Sequence, residues 1–380
     1  MAILGVGLIG GSIGLATRRA IESDGAHGAG GPQTAAPARR GGPDWSALEL
    51  SGYDPDPLAC EAALARGAID AQAPDIASAV AGADFVFVAT PVGALAEVAR
   101  EALDSAGPDC VVSDVGSTKR LLADAAQDER FVGGHPLAGA ETGGVEHARA
   151  DLFDGATWYL SPAPGTAGVL YERLHRLLRS YGARPTAIDP ATHDRLMACV
   201  SQLPHVLANL LVSQAARLLD PDDPQRLPAV GPSFRDATRV AGANSAIWTD
   251  IYLSNRDALI AGIEDFTRRL HDVSVKLAAG DRAAVTSWND DALGDREALL
   301  GAGLAGGAAS ELRVSVPNRP GVIAEIALAL GRAGVNIVDL VLSPSEDNSQ
   351  GVVALWIGGE DHAERAHALI AELGFPVAAG

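Results

Sequence analysis

Near the amino terminus, Ile3-Leu4-Gly5-Val6-Gly7-Leu8-Ile9-Gly10 constrains what this chain can fold into more than any other stretch. It places G-x-G-x-x-G directly after an apolar run, Ala2–Gly5, that reads as a strand, and at the start of a helical pattern over Gly10–Ile21. Gly5 permits a tight turn, Gly7 lets a pyrophosphate approach the backbone, and Gly10 allows the helix to pack closely on the strand. The free N–H groups around Leu8, Ile9 and Gly10, with the positive end of the helix dipole, then face the phosphates. The spacing alone is a weak signal; the strand before it and the helix after it give it weight.

A dinucleotide site of this type needs an acidic residue at the end of the second strand, about 20 positions on. The candidate is Asp54 in Gly52-Tyr53-Asp54, 44 residues after Gly10. The excess is the length of residues 22–46, rich in Gly, Pro and Ala and without periodicity, which read as a flexible surface insertion. The alternative for that segment is a ligand-gripping loop that uses Arg39 and Arg40. A carboxylate at Asp54 accepts hydrogen bonds from ribose hydroxyls and repels a 2′-phosphate, which favours NAD over NADP. Its structural alternative is a cap for a helix starting near Pro55. Thr90-Pro91 closes the next strand, where the ribose would pass.

The order of elements extends this reading. Leu48–Tyr53, Asp84–Ala89 and Cys110–Asp114 read as strands separated by helical segments, with Thr157–Ser161 and Arg184–Ile188 added at the far side. Alternating strands and helices predict an α/β fold, a Rossmann-like doubly wound parallel sheet, over residues 1–188. From 189 to 300 the pattern is helical. His193–Leu219 carries apolar residues at helical spacing, with Pro204 expected to kink it. Asp220–Pro228 breaks the run, and helices resume over Phe234–Ala241, Ser245–Arg269 and Arg282–Leu300. This block reads as an all-helical substrate and dimerisation domain. Residues 301–309 are glycine-rich and read as a linker, and 310–380 follow the order βαββαβ, the ferredoxin-like arrangement.

Composition excludes several classes. At 47% apolar residues the chain can build real cores, so disorder is ruled out. A net charge of −19 argues against nucleic acid or an anionic membrane as partner, since both need a basic face. No apolar run is expected to approach the length of a membrane span, and no signal peptide is expected. Cys60, Cys110 and Cys199 are few and far apart, which suits a reducing cytoplasm and supplies no disulfide framework or metal site.

Two loops carry chemistry. Ser113-Asp114-Val115-Gly116-Ser117-Thr118-Lys119 follows a strand at the sheet edge where such folds bind ligands. Ser117 there is either a site residue or a helix N-cap, and Lys119 could be a solvated helix residue. Gly133-Gly134-His135-Pro136 reads as irregular chain, and a loop imidazole at this edge can act as a general base near neutral pH.

GVGLIGGS, SDVGSTK, GGHPLAGAE, SQLPH and SFRDATRVA, in this order, resemble the prephenate/arogenate dehydrogenase family over residues 1 to about 300. Val316-Pro317-Asn318-Arg319-Pro320-Gly321 and Ala333-Gly334-Val335-Asn336-Ile337 separately resemble an ACT domain. The resemblance implies NAD-dependent oxidative decarboxylation of prephenate to 4-hydroxyphenylpyruvate, with arogenate as the alternative substrate. It implies that His135 takes the ring hydroxyl's proton and that Ser117 shares that hydroxyl. Arg239 would grip a substrate carboxylate, with His205, Glu141, Asp236 and Trp248 lining or gating the pocket. Asn318, Gly321 and Asn336 would be the positions for an effector, tyrosine or phenylalanine, and a homodimer is expected. One departure stands out: Gln202 occupies the first-histidine position of the family's Ser-His-Leu-Pro-His. Two rivals share these folds. A β-hydroxyacid dehydrogenase would need a helical catalytic lysine, yet the only lysine of the helical block is Lys276, out of context. A non-catalytic NAD and amino-acid sensor would not need Ser117, His135 and Arg239 together.

Overall fold

The computed structural model describes residues 1–27, 48–125, 127–139, 142–217, 230–301, 309–345 and 349–379. The chain forms two compact units, Met1–His193 with Gly307–Gly380, and Asp194–Gly306.

The first unit begins with β1 (Ala2–Leu4), α1 (Leu8–His27), β2 (Ser51–Tyr53), α2 (Pro57–Ala65), β3 (Ala71–Gln72), α3 (Ile76–Val80) and β4 (Phe85–Val88). It continues through α4 (Leu95–Ser105), β5 (Val111–Asp114), α5 (Arg120–Ala125), β6 (Phe131–Pro136), β7 (Thr157–Pro162), α6 (Gly168–Ser180) and β8 (Arg184–Ala187). Among the described residues eight strands form one sheet in the order β3-β2-β1-β4-β5-β6-β7-β8. Successive strand residues point to opposite faces, so each strand feeds two cores. Ile3, Phe87 and Val111 pack on one face, and Ala2, Leu4, Val86, Val88 and Val112 on the other with α3 and α4. Caps set the helix starts: Asp56 accepts from the Leu58 N–H before Pro57 opens α2, and Asp75 accepts from Ser78 at α3.

Three expectations change. The sheet is mixed rather than parallel, because β6 pairs antiparallel with β7, while β7 and β8 run parallel to each other. His135 lies in β6, not in irregular chain. Gly133 and Gly134 are there because a Cβ would meet Lys119 and Ser161 at the first, and the Asp114 carbonyl and the Trp158 indole at the second. Pro136 is tolerated because β5 pairs only with Phe131 and Val132, which leaves β7 as the strand's sole neighbour at that end. Finally, α1 runs to His27, so residues 22–27 of the expected insertion continue the helix; the remainder, 28–46, lies outside the described residues.

Then come α7 (Pro190–Met197), a π-helical turn at Ala198–Gln202, α8 (Leu203–Ala216), α9 (Pro232–Thr238), α10 (Ser245–Ser254), α11 (Arg256–Ala278) and α12 (Arg282–Gly301). Before Pro204, where a kink was expected, the helix widens into that π turn, and the proline sits in the first turn of α8, where its missing N–H costs little. The helix expected over 245–269 is divided at Asn255, whose buried amide donates to the Asp194 carbonyl (2.8 Å) and to Gln202 Oε1 (2.9 Å). By length and composition the run Pro190–Ala216 is apolar enough to cross a membrane, which sequence reading did not anticipate. It nevertheless carries His193, Asp194 and His205, all buried.

The carboxyl-terminal segment comprises β9 (Ala309–Pro317), α13 (Val322–Arg332), β10 (Ile337–Pro344), β11 (Gln350–Gly358), α14 (Glu360–Glu372) and β12 (Val377–Ala379). Its antiparallel sheet has the order β10-β11-β9-β12. Its apolar residues, among them Val314, Ile326, Leu330 and Ile370, join those of α6 in one continuous core.

Candidate active site

The glycine turn forms as expected. Gly5 has φ +95° and donates to the Tyr53 carbonyl (2.8 Å), and a Cβ there would meet the Ala89 carbonyl. A Cβ at Gly10 would stand 2.0 Å from the Gly5 carbonyl oxygen, so only glycine fits. Gly7 faces open space, with no atom within 4 Å of where a Cβ would be. Asp54 lies beside this turn: Oδ2 accepts from the Val6 N–H and Oδ1 from the Asp56 N–H, both at 3.0 Å. It does not cap α2, since Asp56 holds that position. At the end of β4, Thr90 buries a hydroxyl oxygen with no hydrogen-bond partner, and Pro91 opens the following turn.

Asp114, at the end of β5, is fully buried and organises both segments singled out in the sequence, the serine loop and the His135 end of β6. Its Oδ2 accepts from the Gly116 N–H (2.8 Å) and from the Lys119 ammonium, and its Oδ1 accepts from the Gly134 N–H (2.9 Å). Lys119 is therefore not a solvated helix residue; its side chain is 1% exposed and also donates to the Thr118 carbonyl. One carboxylate thus holds the residues preceding both Ser117 and His135. The Ser117 hydroxyl is buried without a partner. His135 Nδ1 lies 2.9 Å from His193 Nε2. Burial, the adjacent His193 ring and the Lys119 charge together hold the His135 pKa well below the usual histidine range.

In the second unit the structure gathers His205, Trp248, Tyr252 and Asn209. The buried His205 ring stacks on Trp248 at 3.6 Å between centroids, nearly parallel, and its Nδ1 is bonded to the Tyr252 hydroxyl. Asn209 Nδ2 approaches the same nitrogen at 3.4 Å. Burial lowers the His205 pKa. Asp236 and Arg239 are exposed, one turn apart at the end of α9. Gln202 is buried and occupied by Asn255, so at this departure from the family pattern the side chain bridges helices. Glu141 lies outside the described residues.

Among the effector candidates, Asn318 lines a groove with Arg319, Leu342, Gln350 and Gly168. Gly321 and Asn336 are engaged elsewhere in their own unit. Gly321 N–H donates to the Thr166 carbonyl (2.9 Å), and Asn336 Oδ1 accepts from the Thr186 hydroxyl (3.3 Å). Asp114, His193, Tyr252 and Asn209 join these clusters without having been expected from the sequence. Asp114 was legible as the last residue of a strand beside the serine motif, whereas the others carry no local pattern.

The glycine turn, with Asp54 beside it and the serine loop and the end of β6 at the carboxyl edge of the sheet, is the architecture of a dinucleotide-binding α/β protein. Residues 38–186 match the model for the prephenate dehydrogenase nucleotide-binding domain, 189–288 that for the prephenate dehydrogenase dimerization domain, and 310–369 that for the ACT domain. The prephenate dehydrogenase of Bacillus subtilis (strain 168) is 30% identical over 378 residues, 97% of this chain and 94% of that one. The cyclohexadienyl dehydrogenase of Zymomonas mobilis is 30% identical over 288 residues, 74% of this chain and 89% of that one. Prephenate dehydrogenase from Aquifex aeolicus, solved with hydroxyphenyl propionate and NAD+, superposes with a TM-score of 0.67 at 27% identity, covering 78% of this chain and 97% of that one. The chain belongs to the prephenate dehydrogenase family and ends in an ACT domain.

Proposed function

We propose that the chain is an NAD-dependent prephenate dehydrogenase that converts prephenate to 4-hydroxyphenylpyruvate with loss of CO2. The observation that carries this reading is Asp114, which holds the neighbour of Ser117 in the loop after β5 and the neighbour of His135 in the adjoining β6, in a chain of this family. Gly5, Gly7, Leu8, Ile9 and Gly10 receive the pyrophosphate at the start of α1, where the open side of Gly7 leaves room. Asp54 accepts from the ribose, and the unpartnered Thr90 hydroxyl with Pro91 borders its path. Held by these residues, NAD would supply the acceptor for the hydride that leaves the ring carbon bearing the hydroxyl.

His135 takes the hydroxyl proton as that hydride leaves, and Ser117 donates to or accepts from the same oxygen. The lowered pKa of His135 keeps it unprotonated and competent as a base at neutral pH. Arg239 binds a substrate carboxylate through its planar fork. His205 and Trp248 border the substrate side chain, and Glu141 and Asp236 gate its entry. Release of CO2 makes the ring aromatic, which drives the reaction without a metal. The division 1–188, 189–300, 301–309 and 310–380 follows from these roles. We place the enzyme in the cytoplasm, as a homodimer through the helical domain, with tyrosine or phenylalanine acting at the ACT domain near Asn318.

A paired assay decides the substrate and cofactor: rates with NAD and NADP against prephenate and arogenate. Prephenate with NAD should be fastest, and a preference for arogenate would reassign the substrate. His135→Asn should abolish most turnover while NADH binding persists, and near-normal turnover would refute the proton-acceptor role.

A further inference from the structure

We propose that His193 is the positioning residue for His135: its Nε2 engages His135 Nδ1, so that His135 presents Nε2 to the substrate hydroxyl. The proposal rests on the reading of His135 as proton acceptor.

The two nitrogens are 2.9 Å apart, and the rings meet edge to face, with centroids 5.1 Å apart and planes at 72°. His193 is fully buried near the start of α7, where its N–H donates to the Asp189 carbonyl (2.9 Å). Its ring also stands edge-on to Tyr159 at 5.7 Å and 85°. Tyr159 is the residue opposite His135 in the β6–β7 ladder. His193 therefore contacts both of the other rings and is held from two sides.

An imidazole base has two nitrogens, and an unrestrained ring can present either. The bond to His193 removes Nδ1 from the choice. In the resting pair the His135 Nδ1–H donates to the His193 Nε2 lone pair. When His135 takes the hydroxyl proton at Nε2, the same Nδ1–H donates from an imidazolium. The bond becomes charge-assisted and strengthens as the reaction proceeds, which is the differential that catalysis requires.

The partner is an imidazole where a carboxylate would be the stronger acceptor, and the groups around His135 explain the consequence. Those facing it are His193 from α7, Lys119 from the serine loop and Tyr159 from β7. The acid of that neighbourhood, Asp114, is tied to Lys119, Gly116 and Gly134. Among the described residues no carboxylate bonds His135 to raise its basicity, so the base form persists below the usual histidine range.

The test uses the full-length chain, with initial rates of prephenate oxidation from about pH 5.5 to 9 and parallel melting curves. His193→Leu should lower kcat on the order of 10–100-fold, as misplacing a catalytic group does, with the KM for NAD changed less than about twofold. His193→Gln keeps an oxygen that can accept from Nδ1–H, and should recover most of that loss. Its acid limb should move up towards the ordinary histidine range, because an amide cannot carry the competing proton. Wild-type kcat and an unshifted acid limb in His193→Leu overturn the proposal. So does equal loss in both variants alongside equally lowered melting temperatures, since that marks a packing role alone. His135→Asn separates the two readings. If it stays active, the proton-acceptor role fails and the proposal falls with it. If it is inactive while His193→Leu is normal, only the positioning role fails.

Discussion

The buried pair Asp114–Lys119 supports a quantitative prediction. Its side chains are 0% and 1% exposed, so neither charge has water to fall back on. Removing one partner from such a pair costs about 3–5 kcal/mol, most of it from the charge left behind. In Asp114→Asn the Lys119 ammonium loses the Asp114 charge, and the amide can serve only one of the two backbone donors, Gly116 and Gly134. Lys119→Met leaves the carboxylate with those two N–H groups and no cation. Each single variant should therefore lose about 3–5 kcal/mol. The double variant buries no net charge and leaves roughly one N–H unsatisfied, a loss of about 1–3 kcal/mol. The double change should thus cost less than either single one, a strong coupling in a double-mutant cycle. Urea unfolding at pH 7, followed by far-UV circular dichroism, measures it. Single losses below about 1 kcal/mol, or losses that add, would refute the burial argument. Because Asp114 also fixes the residues preceding Ser117 and His135, kcat should fall in the same variants.

Other outcomes follow from the same geometry. Gly10→Ala puts a methyl 2.0 Å from the Gly5 carbonyl oxygen and should weaken NADH binding by more than about tenfold in a fluorescence titration; an unchanged Kd would contradict the site. Arg239→Gln should raise the KM for prephenate roughly tenfold or more with little change in the KM for NAD, read from steady-state kinetics. His175 and Glu172, both buried on α6, should give the melting temperature opposite pH dependences. Burial pushes the His175 pKa down to about 3, so its contribution is complete above the unfolded value near 6.5 and is lost as pH falls below it. Burial raises Glu172 to about 7, so its contribution is full below the unfolded value near 4.5 and is lost as pH rises through 7. His175→Phe should flatten the acid side of the melting profile and Glu172→Gln the neutral side. A profile unmoved by either substitution would count against both assignments.

Much of the fold was legible because its signals are local. The Gly5–Gly10 turn, the buried runs of β1, β4 and β5 and the βαββαβ order each lie within a short window of sequence. The reading failed where a residue's reason lies elsewhere in the chain. Gly133 and Gly134 look like loop glycines, yet they are small because Lys119, Ser161, Asp114 and Trp158 fill the space a Cβ would need. Pro136 looks like a strand breaker, and only the short β5 pairing shows why it is not one. Lys119 has the sequence context of an exposed helix residue, and its burial depends on a carboxylate from the preceding strand. His193 opens a helical run without any local mark, and its partner is 58 positions away. The reversed β7–β8 pair was likewise invisible, because strand patterns carry no direction.

Docking of the carboxyl-terminal segment on the nucleotide-binding unit also bears on the amino-acid binding proposed for the ACT domain. Gly321 spends its N–H on Thr166, and its Cβ position lies 2.0 Å from the Pro164 carbonyl oxygen. Asn336 meets Thr186, and Gly331 abuts the Ala187 carbonyl just as closely. An amino acid that needs the Gly321 and Asn336 faces competes with a partner that is always present at fixed concentration, the chain itself. Its apparent affinity is the intrinsic affinity multiplied by the fraction of molecules undocked, so every 1.4 kcal/mol of docking free energy weakens it about tenfold. The same linkage runs in reverse: a substitution that loosens docking, with no contact to the amino acid, makes the protein more sensitive to it.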